Sequence, residues 1–343
     1  MDLPQEIDAL IVGAGPIGLS CALSARRRGI PALVIDAGCI TNSIAAYPPG
    51  MTFFTTSERL EIGGHPLTSV SSRPSREEAL AYYRGVVRAE SLDVRTGVRF
   101  VGARREGDLI IAQVETRTGV ATIRTGRLVI ATGYYDNPNL LDVPGEELPH
   151  VRHWFDEAHR TAGQRVVIVG GKNSAIEAAL LAFRAGARVT LVHRSAELKP
   201  SVKYWLRPDF KNRVAAGEIE TRMPATVTRI ELDHVAIVRA GGASEKLPAD
   251  RVYLLTGYHP DFELLDRLGV ALDPETGKAL LNADTLESSI PGLYLAGSVA
   301  SGRLTSEVFI ENGRYDGEKI FGDHRSREVA EELYRSSPRP LGE

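Results

Sequence analysis

One local pattern occurs twice in this chain. A short apolar run enters a glycine-rich turn. A helix-patterned segment and a second apolar run follow, and the residue closing the second run lies 23 positions beyond the first glycine of the turn. In the first copy Asp8-Ala9-Leu10-Ile11-Val12 leads into Gly13-Ala14-Gly15-Pro16-Ile17-Gly18. The spacing predicts a helix from about Pro16 to Arg28, with Leu19, Ala22, Leu23 and Ala25 on its apolar side and Gly29 as its stop. Ala32-Leu33-Val34-Ile35 then ends at Asp36. In the second copy Val166-Val167-Ile168-Val169 leads into Gly170-Gly171-Lys172-Asn173-Ser174-Ala175. A helix is predicted from about Ser174 to Ala185, with Ile176, Ala179, Leu180 and Phe183 buried, and Arg188-Val189-Thr190-Leu191-Val192 precedes His193-Arg194. Apolar runs of this length beside helices read as buried parallel strands. Two such units restrict the chain to an α/β fold with two Rossmann-like domains.

Each position in the loops has a physical task. Gly13 permits the tight turn, Gly15 lets backbone approach a pyrophosphate, and Gly18 lets the helix pack closely on the sheet. Pro16 costs the helix nothing at its first position, where the missing N–H has no partner anyway. The remaining N–H groups of the first turn, at the positive end of the helix dipole, suit phosphate oxygens. Asp36 is in register to accept hydrogen bonds from ribose hydroxyls, so the first unit reads as a dinucleotide site. At the equivalent place the second unit carries His193, with Arg194 beside it and Lys199 within reach. A carboxylate there would repel a 2′-phosphate and cations attract one, so the second site is expected to take NADPH in preference to NADH. Lys172 stands where the middle glycine usually lies.

The two units also close alike. Leu128-Val129-Ile130-Ala131-Thr132-Gly133-Tyr134 and Val252-Tyr253-Leu254-Leu255-Thr256-Gly257-Tyr258 are strands with the same Thr-Gly-Tyr exit. A small β meander is expected before each, around Arg99 to Arg124 and around Ala225 to Leu247. Pro-containing connectors follow both closures. A last strand, Gly292 to Ser298 with Gly297 at its exit, precedes a helix expected to start near Thr305 and to carry Val308, Phe309 and Ile310. That strand needs a parallel sheet to join, and the first domain is its natural host. The expected organisation is therefore a discontinuous domain, 1–140 and 259–343, with a second domain, 145–256, inserted into it. The domains are three-layered, each with a parallel central sheet and a small β meander.

Composition excludes several partners. A net charge of −3 argues against nucleic acid. No run of 18 apolar residues exists to span a membrane, and the start of the chain, with Asp2 and Glu6, is unlike a secretory signal, so a cytoplasmic location is expected. Two cysteines, Cys21 and Cys39, make neither a disulfide framework nor a thiolate metal centre, and the eight histidines show no ligand spacing, so no metal site is expected.

With this layout in view the chain resembles the low-molecular-weight thioredoxin reductases over essentially its whole length. The resemblance implies FAD at Gly13, Gly15, Pro16, Gly18 and Asp36, at Ala131-Thr132-Gly133, and at Gly297-Ser298. It implies NADPH at Gly170 to Ala175, His193, Arg194, Lys199, Thr256 and Gly257, and usually a homodimer. A narrower resemblance is to the bacillithiol-disulfide reductase (YpdA-like) group. It is carried by Asn42-Ser43-Ile44, Tyr47-Pro48, Phe53-Phe54, Ser57-Glu58, Leu60-Glu61-Ile62, His153, His159, Lys203 to Pro208, Thr256 to Pro260, and Phe309-Ile310-Glu311-Asn312-Gly313. It implies NADPH-driven reduction of bacillithiol disulfide.

Two departures bear on the chemistry. The Cys-x-x-Cys pair of thioredoxin reductases is missing, and His153 to His159 fills that stretch. The single cysteine that the bacillithiol group shows inside the first glycine loop is Ile17 here. Cys21, one turn further along the helix, reads as a core residue. The candidate catalytic side chains are then His153 and His159, as proton carriers, and Cys39, in the loop after Asp36. Three readings stay open: a reductase of a small-molecule disulfide, an NADPH–ferredoxin or flavodoxin reductase, whose partner is a small redox protein and which needs no cysteine, and a non-enzymatic FAD/NADPH sensor.

Overall fold

The computed structural model describes residues 3–199 and 201–337. The outermost parts of the expected discontinuous domain, 1–2 and 338–343, lie outside the described residues. The chain divides into two compact units. One comprises 3–45, 50–137 and 258–337, and the other 138–199 and 201–257 together with the short stretch 46–49. The divisions fall in the Pro-containing connectors. Residues 138–140 group with the second unit because Asn139 N–H donates to Gly257 O (2.9 Å) and Asn139 O accepts from the Thr256 hydroxyl (2.6 Å).

In the first unit the strands Asp93–Thr96, Ala32–Asp36, Glu6–Val12 and Gly119–Ile130 lie side by side in that order, and Leu293–Leu295 adds to the far side of Gly119–Ile130. All of these pairings are parallel. The strand Gly119–Ile130 has two functions. Its second half joins the parallel sheet, while its first half pairs antiparallel with Leu109–Thr116, which pairs in turn with Arg99–Glu106. The meander is thus continuous with the central sheet. Period-two alternation sends Leu10, Val12, Leu33, Ile35, Leu128, Ile130, Leu293 and Leu295 into one core with Leu264 and Leu265 of the helix Phe262–Arg267. Each such leucine removed from water contributes about 1.5–3 kcal/mol. Ala9 and Ile11, equally buried, occupy the opposite face.

In the second unit Ile219–Arg222, Arg188–Val192, Arg165–Val169, Arg251–Leu254 and Val151–Arg152 form a five-stranded parallel sheet. Its two faces can be read from one strand. Val166 and Ile168 pack on the helices Asn173–Arg184 and Leu206–Ala215, while Val167 and Val169 pack on a separate antiparallel sheet, Ala225–Ile230, His234–Arg239 and Ser244–Pro248. Helix, parallel sheet and meander make three layers.

One expected helix is corrected. No helix starts at Thr305; residues 305–309 are turn and coil, and a short helix begins at Ile310. Asn312 is the cause. Its side-chain oxygen accepts from Phe309 N–H (2.8 Å) and its amide donates to Glu307 O (2.8 Å), which ties residues 307–309 into a turn before the helix. Among the described residues no helix is long and apolar enough to cross a membrane.

Candidate functional site

The strand Glu6–Val12 ends under the first glycine loop, and the loop closes against the strand Gly119–Ile130. Gly13 N–H donates to Ile35 O (2.8 Å) and Ala131 N–H to Val12 O (2.8 Å). Gly13 has φ +110°, and a Cβ there would collide with the Ala131 carbonyl; a Cβ on Gly18 would collide with Gly13 O. Both positions therefore require glycine. Gly15 is different: its φ is −71° and a Cβ would meet nothing within 4 Å. Its open side is where a pyrophosphate would approach the first turn of the helix Pro16–Arg27, whose Gly15 cap supplies no side-chain acceptor.

Asp36 closes the cradle. Its carboxylate accepts from Ala14 N–H (2.7 Å) and Gly38 N–H (2.8 Å), one bond per oxygen. Burial raises its pKa against the pull of those two bonds. Further lone pairs on both oxygens remain for ribose hydroxyls. Thr41 N–H donates to Ala14 O (2.9 Å), so the loop after Asp36 is pinned to the glycine loop. Asp36→Ala removes two loop bonds as well as the ribose acceptor. We expect FAD affinity about 100-fold lower, as charge-assisted hydrogen bonds are each worth about 1.5–3 kcal/mol, measured by titrating the apoprotein with FAD and following flavin fluorescence.

The third segment meets the other two. Ala296 N–H donates to Ile130 O (2.9 Å), Gly297 adopts φ +76°, and the Ser298 hydroxyl lies 3.5 Å from where a Cβ on Gly133 would stand. The Ile17 side chain fills the space beside Gly297 and Gly313, 3.0 Å and 3.1 Å from a Cβ built at each. The position that holds a thiol in the resembling group is thus a packed aliphatic plug. Thr132 Oγ1 is buried with no hydrogen-bond partner among the described residues, a polar atom at the convergence that a cofactor oxygen would satisfy. The sequence reading missed three groups here. Burial raises the pKa values of both Tyr134 and Glu311, the Glu311 charge adding to the rise at Tyr134, and Asp316 is buried.

The second unit reproduces the two backbone bonds that close the first cradle. Gly170 N–H donates to Val192 O (3.0 Å) and Leu255 N–H to Val169 O (2.8 Å). Gly170 has φ +153°, and a Cβ on it would strike Leu255 O and Ala175 Cβ. The position matching Gly15 is Lys172, extended at φ −110°. Because the matching side of Gly15 is open, a lysine is sterically admissible there, and it adds a cation at the helix start. Gly171 makes room for a side chain: the His193 ring occupies the space where a Cβ would stand.

Around this loop cations accumulate without counter-ions. Lys172, Arg194 and Lys199 form no ion pair among the described residues. Desolvation, then Lys199 and Arg194, hold the Lys172 pKa down, and desolvation, then Arg194 and Lys199, do the same to His193. His193 Nε2 is buried without a partner among the described residues. At neutral pH the imidazole is therefore largely uncharged, and attraction for an anion falls to the three flexible side chains. Asn173 fastens the nearby segment, accepting from Lys203 N–H (2.8 Å) and donating to Ser201 O (3.2 Å), while Lys203 Nζ, buried, pairs with Glu177 (3.1 Å).

Comparison with known proteins places this geometry. Residues 10–297 match the pyridine nucleotide-disulphide oxidoreductase family. The chain belongs to that family. Among relatives, a bacilliredoxin reductase Bdr of Bacillus subtilis (strain 168) is 41% identical, with 93% of this chain and 98% of that one covered. The solved structure of a bacillithiol disulfide reductase Bdr (YpdA) from Bacillus cereus is similar with a TM-score of 0.90 and 39% identity, covering 96% of this chain and 100% of that one. A thioredoxin reductase from Lactococcus lactis, at 20% identity, TM-score 0.72 and 96% and 99% coverage, shares the fold. This pyridine nucleotide-disulphide oxidoreductase is an FAD-dependent enzyme that uses NADPH, and the open Gly15 face, the unsatisfied Thr132 hydroxyl and the unpaired cations fit those groups.

The three candidate catalytic side chains of this oxidoreductase are divided between the two units. Cys39 is in the first unit, exposed in the loop after Asp36, with Sγ 3.6 Å from Asn42 Oδ1. His153 and His159 are in the second. His153 follows the strand Val151–Arg152 and lies 3.9 Å from Glu146, whose carboxylate accepts from Leu141 N–H (2.9 Å). Burial holds the His153 pKa below its ordinary value, partly opposed by Glu146. His159 is exposed on the 3₁₀ turn Ala158–Thr161. Cys21, by contrast, is fully enclosed, and burial with the charges of Asp316 and Glu318 drives its pKa well up. It is an inert core thiol.

Proposed function

We propose that this enzyme reduces the disulfide of a low-molecular-weight thiol, bacillithiol disulfide, with electrons from NADPH carried through FAD. The discontinuous unit, with 3–45, 50–137 and 258–337 in it, holds FAD, and the inserted unit, with 138–199 and 201–257, holds NADPH. The observation that carries the substrate is the 41% identity, across nearly the whole of both chains, to a bacilliredoxin reductase, supported by the likeness to a solved bacillithiol disulfide reductase. FAD supplies acceptance of a hydride and onward delivery of two electrons. The chain's own residues bind and orient. The two glycine loops seat the pyrophosphates, Asp36 takes a ribose, and Lys172, Arg194 and Lys199 hold the 2′-phosphate. Overall NADPH, a proton and the disulfide yield NADP⁺ and two thiols.

Ile17 bears on how the electrons leave. With an alkyl group in the glycine loop and Cys21 enclosed, the only exposed thiol is Cys39, next to the ribose acceptor Asp36. Burial holds the His153 pKa below its ordinary value, so at neutral pH the ring is largely neutral and is not a ready proton donor; His159 lies at the surface.

Adding bacillithiol disulfide to the FAD-loaded enzyme is expected to raise NADPH oxidation at least tenfold above the oxygen background, followed by absorbance of the nicotinamide. No acceleration would sink the assignment, and rapid reduction of ferredoxin in its place would favour a protein acceptor. A Cys39→Ser variant with an unchanged disulfide-dependent rate would put the chemistry outside that thiol.

A further inference from the structure

Asp316 stands out among the buried ionisable groups that the proposed reaction does not use. It opens the helix Asp316–Phe321 and is 5% exposed. Its carboxylate oxygen Oδ2 accepts from Gly297 N–H at 2.7 Å, a bond wholly inside the first unit. Gly297 is the left-handed residue (φ +76°) where the chain turns out of the strand Leu293–Leu295 toward Ser298, and Ile17 of the helix Pro16–Arg27 packs directly on it. The helix Asp316–Phe321 is brought close by a glycine. A Cβ on Gly317 would stand 2.8 Å from Cys21 Cα and 2.9 Å from Ser20 O, so only glycine lets the two helices approach until the carboxylate reaches the turn.

We propose that Asp316 is a positioning residue of the flavin site, which holds the Gly297-Ser298 turn in the conformation that meets the cofactor by accepting the Gly297 N–H. With that N–H engaged from behind, the turn cannot rotate it toward the cofactor side, and Ser298 is presented beside Gly133. The inference rests on the assignment of FAD to this unit.

Retention of an acid here is informative because it opposes folding. Burial pushes the Asp316 carboxyl up to about 7; the Gly297 bond and Lys319 pull it back, and Glu331 adds to the rise. The groups facing it are Cys21 on the helix Pro16–Arg27, Lys319 and Glu318 on its own helix, and Glu331 on His324–Ser336. Glu318 is occupied by Ser24 Oγ (2.8 Å) and Arg28 (2.6 Å), and Lys319 Nζ donates to Glu331. None of them neutralises Asp316 by a direct bond. A carboxyl whose folded pKa lies above its unfolded value withdraws stability as pH rises from the unfolded value through the folded one, so the window is from about 4 to about 7. An asparagine would avoid that loss and still accept the bond. Ionised Asp316 also opposes the phosphates that the neighbouring helix start receives, so flavin affinity is expected to fall as pH rises through 7.

The test uses full-length Asp316→Asn and Asp316→Ala with FAD titrated into each apoprotein at pH 6 and pH 8. Asp316→Asn is expected to bind FAD within about threefold of wild type at pH 6, with its pH dependence gone and its apoprotein melting higher than wild type at pH 8. Asp316→Ala is expected to bind at least tenfold more weakly and to show an altered visible flavin spectrum. Alanine binding as tightly as wild type, or asparagine binding as weakly as alanine, overturns the proposal. If the alanine variant does not fold, the pH series decides. Wild-type affinity that is flat between pH 6 and pH 8, or an asparagine variant that keeps the wild-type dependence, overturns it. A wild-type chain that takes up no flavin overturns both this inference and the proposed function, whereas flavin uptake unaffected by Asp316→Ala overturns this inference alone.

Discussion

Gly13→Ala is expected to give a folded but colourless protein whose FAD affinity is at least 100-fold below wild type. Two effects add. At φ +110° an L side chain is strained by about 1–3 kcal/mol, and the new Cβ meets the Ala131 carbonyl, a backbone atom that no rotamer change can move. Relief requires the loop to lift away from the strand Gly119–Ile130, which breaks the Gly13–Ile35 and Ala131–Val12 bonds that set the cradle's depth. The pyrophosphate then loses its seat at the helix start. The second unit has its own sheet and core. NADPH binding by Gly13→Ala should therefore stay within about twofold of wild type, since changes without shared partners are close to additive. Flavin absorbance after incubation with excess FAD, with NADPH titrated in parallel, checks both halves. Gly15→Ala is the informative contrast, because its Cβ enters open space and the backbone is ordinary. It should fold normally and lose FAD only as far as a methyl group crowds the pyrophosphate.

The contrast between Gly13 and Gly15 also shows which parts of the site could be read from sequence. Register is a local property. The 23-residue spacing from first glycine to Asp36 and to His193 survives unchanged in space, because a strand, a tight turn and a helix of set length leave the chain no freedom. Lys172 looked like a flaw in the second fingerprint until the open face of Gly15 showed that this position tolerates a side chain. What escaped the sequence depends on long-range burial. Tyr315-Asp316-Gly317-Glu318-Lys319 carries three charged side chains, and nothing in their order marks two of them as buried. Only the close crossing at Gly317 reveals Asp316 and Lys319 as buried. Glu311 is hidden in the same way. The helix expected from Thr305 failed because Asn312 caps backward onto Phe309 and Glu307, a side-chain contest with the helix that apolar spacing does not register. His193 reads as a cation from its place beside Arg194; burial over Gly171, and then the charges of Arg194 and Lys199, hold it toward its neutral form.

Arg194→Glu combined with Lys199→Glu is expected to reverse the nicotinamide preference. Each cation that meets a phosphate oxygen contributes about 1.5–3 kcal/mol as a charge-assisted bond. Losing two such contacts therefore weakens NADPH by about 10²- to 10⁴-fold, before the repulsion of two new carboxylates is counted. NADH lacks the 2′-phosphate and should change by less than about threefold, because Gly170, the helix start and Thr256 are untouched. Stopped-flow reduction of the bound flavin by each nucleotide measures the ratio directly. Equal losses for both nucleotides would mean that these side chains shape the loop and do not read the phosphate. The unmutated site carries a second signature. Lys172 and His193 have pKa values held below normal by desolvation and by mutual repulsion with Arg194 and Lys199. A bound phosphate dianion supplies the missing counter-charge and raises both, so binding takes up protons. The sign follows: NADPH affinity of the wild type should rise as pH falls from the raised bound-state pKa of His193 toward its lower free-state value, the gain being cut short where the phosphate itself takes up a proton near pH ~6. NADH, which brings no such charge to the cluster, should show a flatter profile over the same range. In the double variant two carboxylates replace the repelling cations and the pKa values of Lys172 and His193 recover, so the pH dependence of NADPH binding should flatten together with the loss of preference. A steep NADPH profile that persists in the double variant would assign the proton uptake to some other group.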